Sequence, residues 1–160
     1  MIDSNTFIVE HQGTTIIVDA GAPVKKVLNA LDGRKPSAIL VTHNHYDHVN
    51  YLDDYANEFG CEVHAPKSEK QITIGSIKVE PLLCPGHSED SVCYLIEGHL
   101  FTGDVLFSDT IGRTDFMKNG PALMQETLKR LLGIKFKEAH HGHYESSTYD
   151  EQIKNIKSFL

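Results

Sequence analysis

Residues 42–50 read THNHYDHVN, which places His43, His45, Asp47 and His48 within six positions. No apolar periodicity requires such a cluster, and imidazoles beside a carboxylate are typical metal ligands. His43 and His45 are two residues apart. In extended chain both project to one side, so two imidazoles can converge on one ion. Asp47 and His48 follow at once and can face a second ion as the loop turns into a helix. Three further candidates stand singly after apolar stretches and near glycines. His87 follows Pro85-Gly86, Asp104 ends LFTGD, and His143 lies in HHGHYE. Nitrogen and oxygen donors of this kind suit zinc, iron or manganese better than calcium or magnesium.

HNHYDH resembles the H-x-H-x-D-H signature of the metallo-β-lactamase fold superfamily, and His87, Asp104 and His143 occur in the order that superfamily uses for its remaining ligands. IIVDAG, through Asp19, is similar to the first motif of the same fold, so the resemblance covers essentially the whole chain. It implies an α/β protein, an αββα four-layer sandwich with the site at one edge between the sheets. It also implies two divalent metal ions, zinc first, with iron or manganese as alternatives. His43, His45 and His87 would bind one ion, Asp47, His48 and His143 the other, and Asp104 would bridge them. GRTDF, after Asp104, is similar to the glyoxalase II (hydroxyacylglutathione hydrolase) branch and to related persulfide dioxygenases. By that resemblance Arg113 and Asp115 would be buried, paired and shape the cleft. The sequence departs from the family in three places. Val49-Asn50-Tyr51 follows His48 where glycines are usual, and Ser88-Glu89-Asp90 follows His87 where relatives often have Pro-Gly. Full-length glyoxalase II adds a helical C-terminal region that grips glutathione; these residues are not expected to supply it, so the resemblance does not extend to glutathione specificity.

The implied chemistry is hydrolysis. Two divalent ions holding a water between them lower its pKa from ~15.7 toward ~7, and a fixed positive charge stabilises the oxyanion formed at a carbonyl. A thiolate with a pKa near ~8.5 leaves with little help from an acid, whereas an amide nitrogen needs a proton. The expected substrate is therefore a small thioester or ester, with Asp47 orienting the hydroxide and Asp104 bridging. A second reading uses one iron held by His43, His87 and Asp104, open to dioxygen, as the resemblance to persulfide dioxygenases implies. A member that only binds metal is the third. His11, His64 and His99 are read as surface or core residues, and His140 and His141 as neighbours supporting a ligand or lying at the surface.

These residues need elements to position them. NTFIVEH and TTIIVDAG read as strands around Gln12-Gly13, APVKKVLNAL as a helix stopped by Gly33, and SAILVT as a buried strand ending at His43. VNYLDDYANEF reads as one helix stopped by Gly60, with CEVHA a strand after it. Hairpins are expected around Gly75-Ser76 and Glu97-Gly98. GPALMQETLKRLL and TYDEQIKNIKSFL close the chain as helices, with Pro121 in a first turn and Thr148 with Glu151 as a capping box. Residues 1–160 fit one domain.

Composition narrows the partners. Net charge is −7 with histidines neutral, which opposes a nucleic-acid backbone as the main partner. No apolar run approaches the ~18 residues of a membrane span. The N-terminal stretch MIDSNTFIVEHQG shows no secretory pattern, and three scattered cysteines suggest free thiols. The expectation is a cytoplasmic protein acting on a small molecule, its oligomeric state unspecified.

Overall fold

Runs of Thr, Ile and Val build the first sheet of the protein. The computed structural model describes residues 4–160, and residues 1–3, at the head of the stretch searched for a secretory pattern, lie outside the described residues. β1 (Phe7–His11) and β2 (Thr14–Val18) pair antiparallel across Gln12-Gly13, both at positive φ. β3 (Ala38–Leu40) and β4 (Glu62–His64) extend the sheet in parallel, in the order β1-β2-β3-β4. α1 (Val24–Leu31) connects β2 to β3. The helix expected over 49–59 is two helices, α2 (Tyr46–Val49) and α3 (Leu52–Phe59). The break has a tertiary cause. Ala20, just past β2, donates its N–H to the carbonyl of His48 (2.8 Å) and accepts from the N–H of Tyr51 (3.0 Å), replacing helical partners.

The second sheet is a meander with two late additions. β5 (Ile72–Ile74), β6 (Ile77–Leu83), β7 (Val92–Ile96) and β8 (His99–Gly103) run antiparallel, turning at Gly75-Ser76 and Glu97-Gly98 as expected. β9 (Glu138–His141) then pairs parallel to β8, His99 opposite Glu138 and Phe101 opposite His140, and β10 (Ser147–Thr148) closes that edge. Between β8 and β9 lies α4 (Gly120–Leu131), with Pro121 in its first turn. α5 (Tyr149–Ser158) starts at a capping box formed by Thr148 and Glu151.

Three apolar clusters define the layers. Ile16, Val18 and Leu40 of the first sheet meet Ile77, Val79, Tyr94 and Phe101 of the second. Ile17 and Ile39 face the other way, onto Val27, Leu31 and Tyr55 of α1 and α3. Cys93, Leu100 and Ala139 face Met124, Leu128 and Ile156 of α4 and α5. Ile16, Ile17 and Val18 are consecutive and all buried, because a sheet covered on both faces hides both sets of alternating side chains. The result is an αββα sandwich. Among the described residues no helix is long and apolar enough to cross a membrane.

Candidate metal centre

The site lies where strands of both sheets end. His43 follows β3 by three residues, His87 follows β6, Asp104 follows β8 directly, and His143 follows β9. α2 starts between the two halves of the opening motif: His45 caps it and Asp47 and His48 lie inside it. The pair His43 and His45 therefore lies on the extended segment before the helical turn, and the pair Asp47 and His48 lies on the turn itself.

All seven candidates come together, in two groups. The donor atoms of His43, His45 and His87 lie within 4.8 Å of one another, as do those of Asp47, His48, Asp104 and His143. His87 Nε2 is 2.9 Å from His45 Nδ1. His143 Nε2 is 3.0 Å from Asp47 Oδ2, and His48 Nε2 is 3.1 Å from Asp104 Oδ1. Asp104 reaches both groups, since its Oδ2 lies 3.4 Å from His143 Nε2 and 3.7 Å from His87 Nε2.

Buried partners orient the rings. Asp19, at the end of β2, holds a left-handed backbone at φ 60°, a conformation a non-glycine residue adopts only when its surroundings enforce it. Its carboxylate accepts from the Thr42 N–H (2.8 Å), the Thr42 hydroxyl (2.7 Å) and His48 Nδ1 (2.7 Å). A carboxylate only accepts, so Nδ1 of His48 carries a hydrogen and Nε2 is directed at Asp104. Thr42 Oγ1, its proton committed to Asp19, faces His43 Nδ1 at 3.2 Å, which leaves His43 Nε2 for the site. The Arg113 carbonyl does the same for His87, accepting from Nδ1 at 3.0 Å. Support of this kind on the far ring nitrogen fixes tautomer and direction in metal-binding histidines.

The loops are held to each other. Asp90 accepts from the N–H (3.0 Å) and side-chain amide (2.7 Å) of Asn44, tying the His43 loop to the His87 loop. The unusual Ser88-Glu89-Asp90 segment thus has a structural use. Ser4 donates to the Asp47 carbonyl, and the Asn5 amide donates to the carbonyls of His141 and Tyr144. Sequence reasoning passed over Thr42, the contact between Asn44 and Asp90, and the Ser4-Asn5 clamp. Their signal is long-range contact, which a lone polar residue in a loop does not announce.

Electrostatics on the protein's own charges match a cation site. Burial pushes His43 down to about 2, reinforced by His48, so its ring is neutral. Burial also acts to depress His48, but the carboxylates of Asp104 and Asp19 on its two nitrogens overcome this and raise it to about 10. Burial alone would raise Asp104; His143 and His48 instead hold its carboxyl well below the usual range. Asp104 in turn raises His143. His43 Nε2, His48 Nε2 and Asp104 Oδ1 are buried without a directed hydrogen bond. An unsatisfied buried polar atom costs roughly 1–3 kcal/mol. Three converging in one place fit a cation that would satisfy all of them, and imidazole with carboxylate suits zinc, iron or manganese.

The cleft over these groups has a volume of about 670 Å³ and is lined by five of the seven candidates. Tyr46 (64% exposed), Phe116 (54%) and Tyr144 (66%) stand at its rim. Phe116 also packs edge-on against His45 and His87. A second groove of about 590 Å³ meets the cluster only through His43. Arg113 and Asp115 are paired, with two contacts of 3.0 and 2.6 Å, but not buried: their side chains are 70% and 64% exposed. The expectation of a buried pair is corrected. The segment crosses the cleft mouth, and the guanidinium lies over the Phe116 ring at 4.8 Å instead of entering the core. Neighbouring His141 is fully buried between Thr102 and Ser147 hydroxyls and belongs to neither group.

Comparison with known proteins identifies the family. Residues 2–82 and 66–151 match the sequence profile of the Metallo-beta-lactamase superfamily. The chain belongs to the metallo-beta-lactamase superfamily, in its glyoxalase II-like branch. It is 32% identical over 142 residues to hydroxyacylglutathione hydrolase of Xanthomonas campestris pv. campestris, covering 79% of this chain and 54% of that one. It is 28% identical over 137 residues to the probable polyketide biosynthesis zinc-dependent hydrolase PksB of Bacillus subtilis, covering 74% and 61%. The chain thus spans little more than half the length of these relatives. Among solved structures, the B3 metallo-beta-lactamase BLEG-1 superposes with a TM-score of 0.89 at 24% identity, over 98% of this chain and 94% of that one.

Proposed function

We propose that the protein is a metal-dependent hydrolase that cleaves a small thioester or ester. The observation that carries this reading is the pair of donor groups meeting at Asp104 on the floor of an open cleft. The relatives named for hydroxyacylglutathione and zinc-dependent hydrolysis support it. His43, His45 and His87 would hold one divalent ion, Asp47, His48 and His143 another, and Asp104 both; zinc is the proposed metal. When bound, such ions supply Lewis acidity, lowering the pKa of water toward ~7 and neutralising charge that develops on a carbonyl oxygen.

The chain's own groups do the rest. Asp47, 27% exposed beside His143, would orient the attacking water and accept its proton. Tyr46, Phe116 and Tyr144 offer aromatic faces to the acyl or thiol portion of a substrate. A thiolate leaving group near pKa ~8.5 departs without a dedicated acid, which favours thioesters and esters over amides. The substrate is proposed as a small molecule and the location as the cytoplasm, with which three free cysteines agree.

The test is metal analysis of purified protein together with a panel of S-lactoylglutathione, simple thioesters and lactones. About two zinc ions per chain with thioester or ester turnover is expected. A single iron with oxygen consumption on a persulfide would replace this reading, and no stoichiometric metal would refute the site.

A further inference from the structure

A third group of donors lies on the two strands that lead into Asp104 and His143. His99 opens β8, and Glu138 and His140 lie on β9; the parallel register puts His99 opposite Glu138, and His140 is two residues further along the same face. His99 Nδ1 is 3.0 Å from His140 Nε2, and Glu138 Oε2 is 3.9 Å from the first and 3.8 Å from the second. Five residues at ~3.3 Å each separate His99 from Asp104, so this cluster stands ~16 Å along the strand from the main site.

We infer that His99, Glu138 and His140 form a further binding site for a divalent late first-row transition cation such as zinc. Two donors ~2.1 Å from one ion lie ~3.0 Å apart when adjacent in six-coordination and at most ~4.2 Å apart. All three separations fall in that span. The carboxylate is beyond hydrogen-bond reach of both nitrogens, so hydrogen bonding alone does not account for its position. His140 is arranged as a ligand. Its Nδ1 is 2.8 Å from the Ser146 hydroxyl, leaving Nε2 for the shared centre, and its ring is packed on Phe101 and Phe7. His99 and Glu138 are 38% and 45% exposed, which gives an ion access and leaves positions for water. Two imidazoles and one carboxylate are a donor set for zinc, iron, nickel or copper and a poor one for calcium. An ion there would brace the start of β8 against β9 and, through Ser146, the loop that carries His143.

Zinc is the probe. Wild type, His99→Ala and Glu138→Gln are equilibrated at the same free zinc, and bound zinc per chain is measured together with the thermal midpoint and hydrolysis of the preferred ester. Each variant is expected to hold one zinc fewer than wild type, with unchanged turnover and circular dichroism. The midpoint of wild type alone should keep rising with zinc after turnover has saturated. Equal zinc content in all three proteins would overturn the inference and leave a hydrogen-bonded imidazole pair. The reading is by difference, so it stands or falls separately from the number of ions in the main site and from the proposed hydrolysis. Glu138→Gln, nearly isosteric and half-exposed, keeps the test decisive where His99→Ala fails to fold.

Discussion

Asp104 is the residue on which the two donor groups depend. Its two oxygens lie 3.1 Å from His48, 3.4 Å from His143 and 3.7 Å from His87. Asp104→Ala should therefore lower occupancy of both proposed ions and cut turnover by more than about 100-fold, a larger effect than losing an outer partner of a ligand. Full metal content and activity in that variant would end the bridging role. The same residues make a pH prediction for chelator-treated protein. His48 is raised from 6.5 to about 10 in the folded chain, so its contribution is complete below pH 6.5 and lost as pH rises toward 10. His43 is depressed to about 2, so its contribution is complete above pH 6.5 and lost as pH falls. Stability of the metal-free protein should peak near pH 6.5 in thermal melts and decline on both sides. A steady rise from pH 5 to pH 9 would contradict the carboxylate–imidazole network. Protons also compete with the ions at His48 and His143, so metal affinity should fall on acidification.

At the scale of elements, the site is made by strand ends and by one short helix. The loop after β9 passes so close to Asp104 that Gly142 has no room for a side chain. An added Cβ would press on Asp104 Oδ1 and lie 2.5 Å from His48 Cε1. Gly142→Ala should leave the circular dichroism spectrum near that of wild type while metal content and turnover fall at least about tenfold. Normal zinc loading in the variant would show that the loop can retreat. Element types were largely legible beforehand, because apolar alternation, Gly75-Ser76, Glu97-Gly98 and the Thr148–Glu151 box are local signals. The interruption between α2 and α3 was not. The stretch 49–59 has helical periodicity throughout, and Ala20, far back in the chain, supplies the competing hydrogen bonds. The exposure of Arg113 and Asp115 was misjudged for a similar reason. Pairing is a property of two residues, but burial is a property of what covers them.

Across the whole molecule, the two sheets must be locked for the donor groups to meet. Tyr94, buried in β7 of the second sheet, donates its hydroxyl to the Val41 carbonyl, two residues before His43, at 2.6 Å. Tyr94→Phe removes that bond and leaves a buried carbonyl short of a partner, which should cost about 1–3 kcal/mol in chemical denaturation. Unchanged stability would mean that the sheets are held by apolar packing alone. The candidate donors and the family were readable from linear order, because ligand chemistry depends on residue type and the motif lies within six positions. The separation of His43 and His45 from Asp47 and His48 was read from their spacing, and the assignment of His87, Asp104 and His143 to the two groups only from resemblance. Folding supplied the distances that support it, bringing ends of β3, β6, β8 and β9 to one edge, together with Asp19, Thr42 and the Arg113 carbonyl to aim the rings. Folding alone also brought His99, read from sequence as an ordinary surface or core histidine, beside Glu138 and His140. Their proximity depends on a parallel pairing between strands about forty residues apart, and no local pattern encodes the register of such a pair.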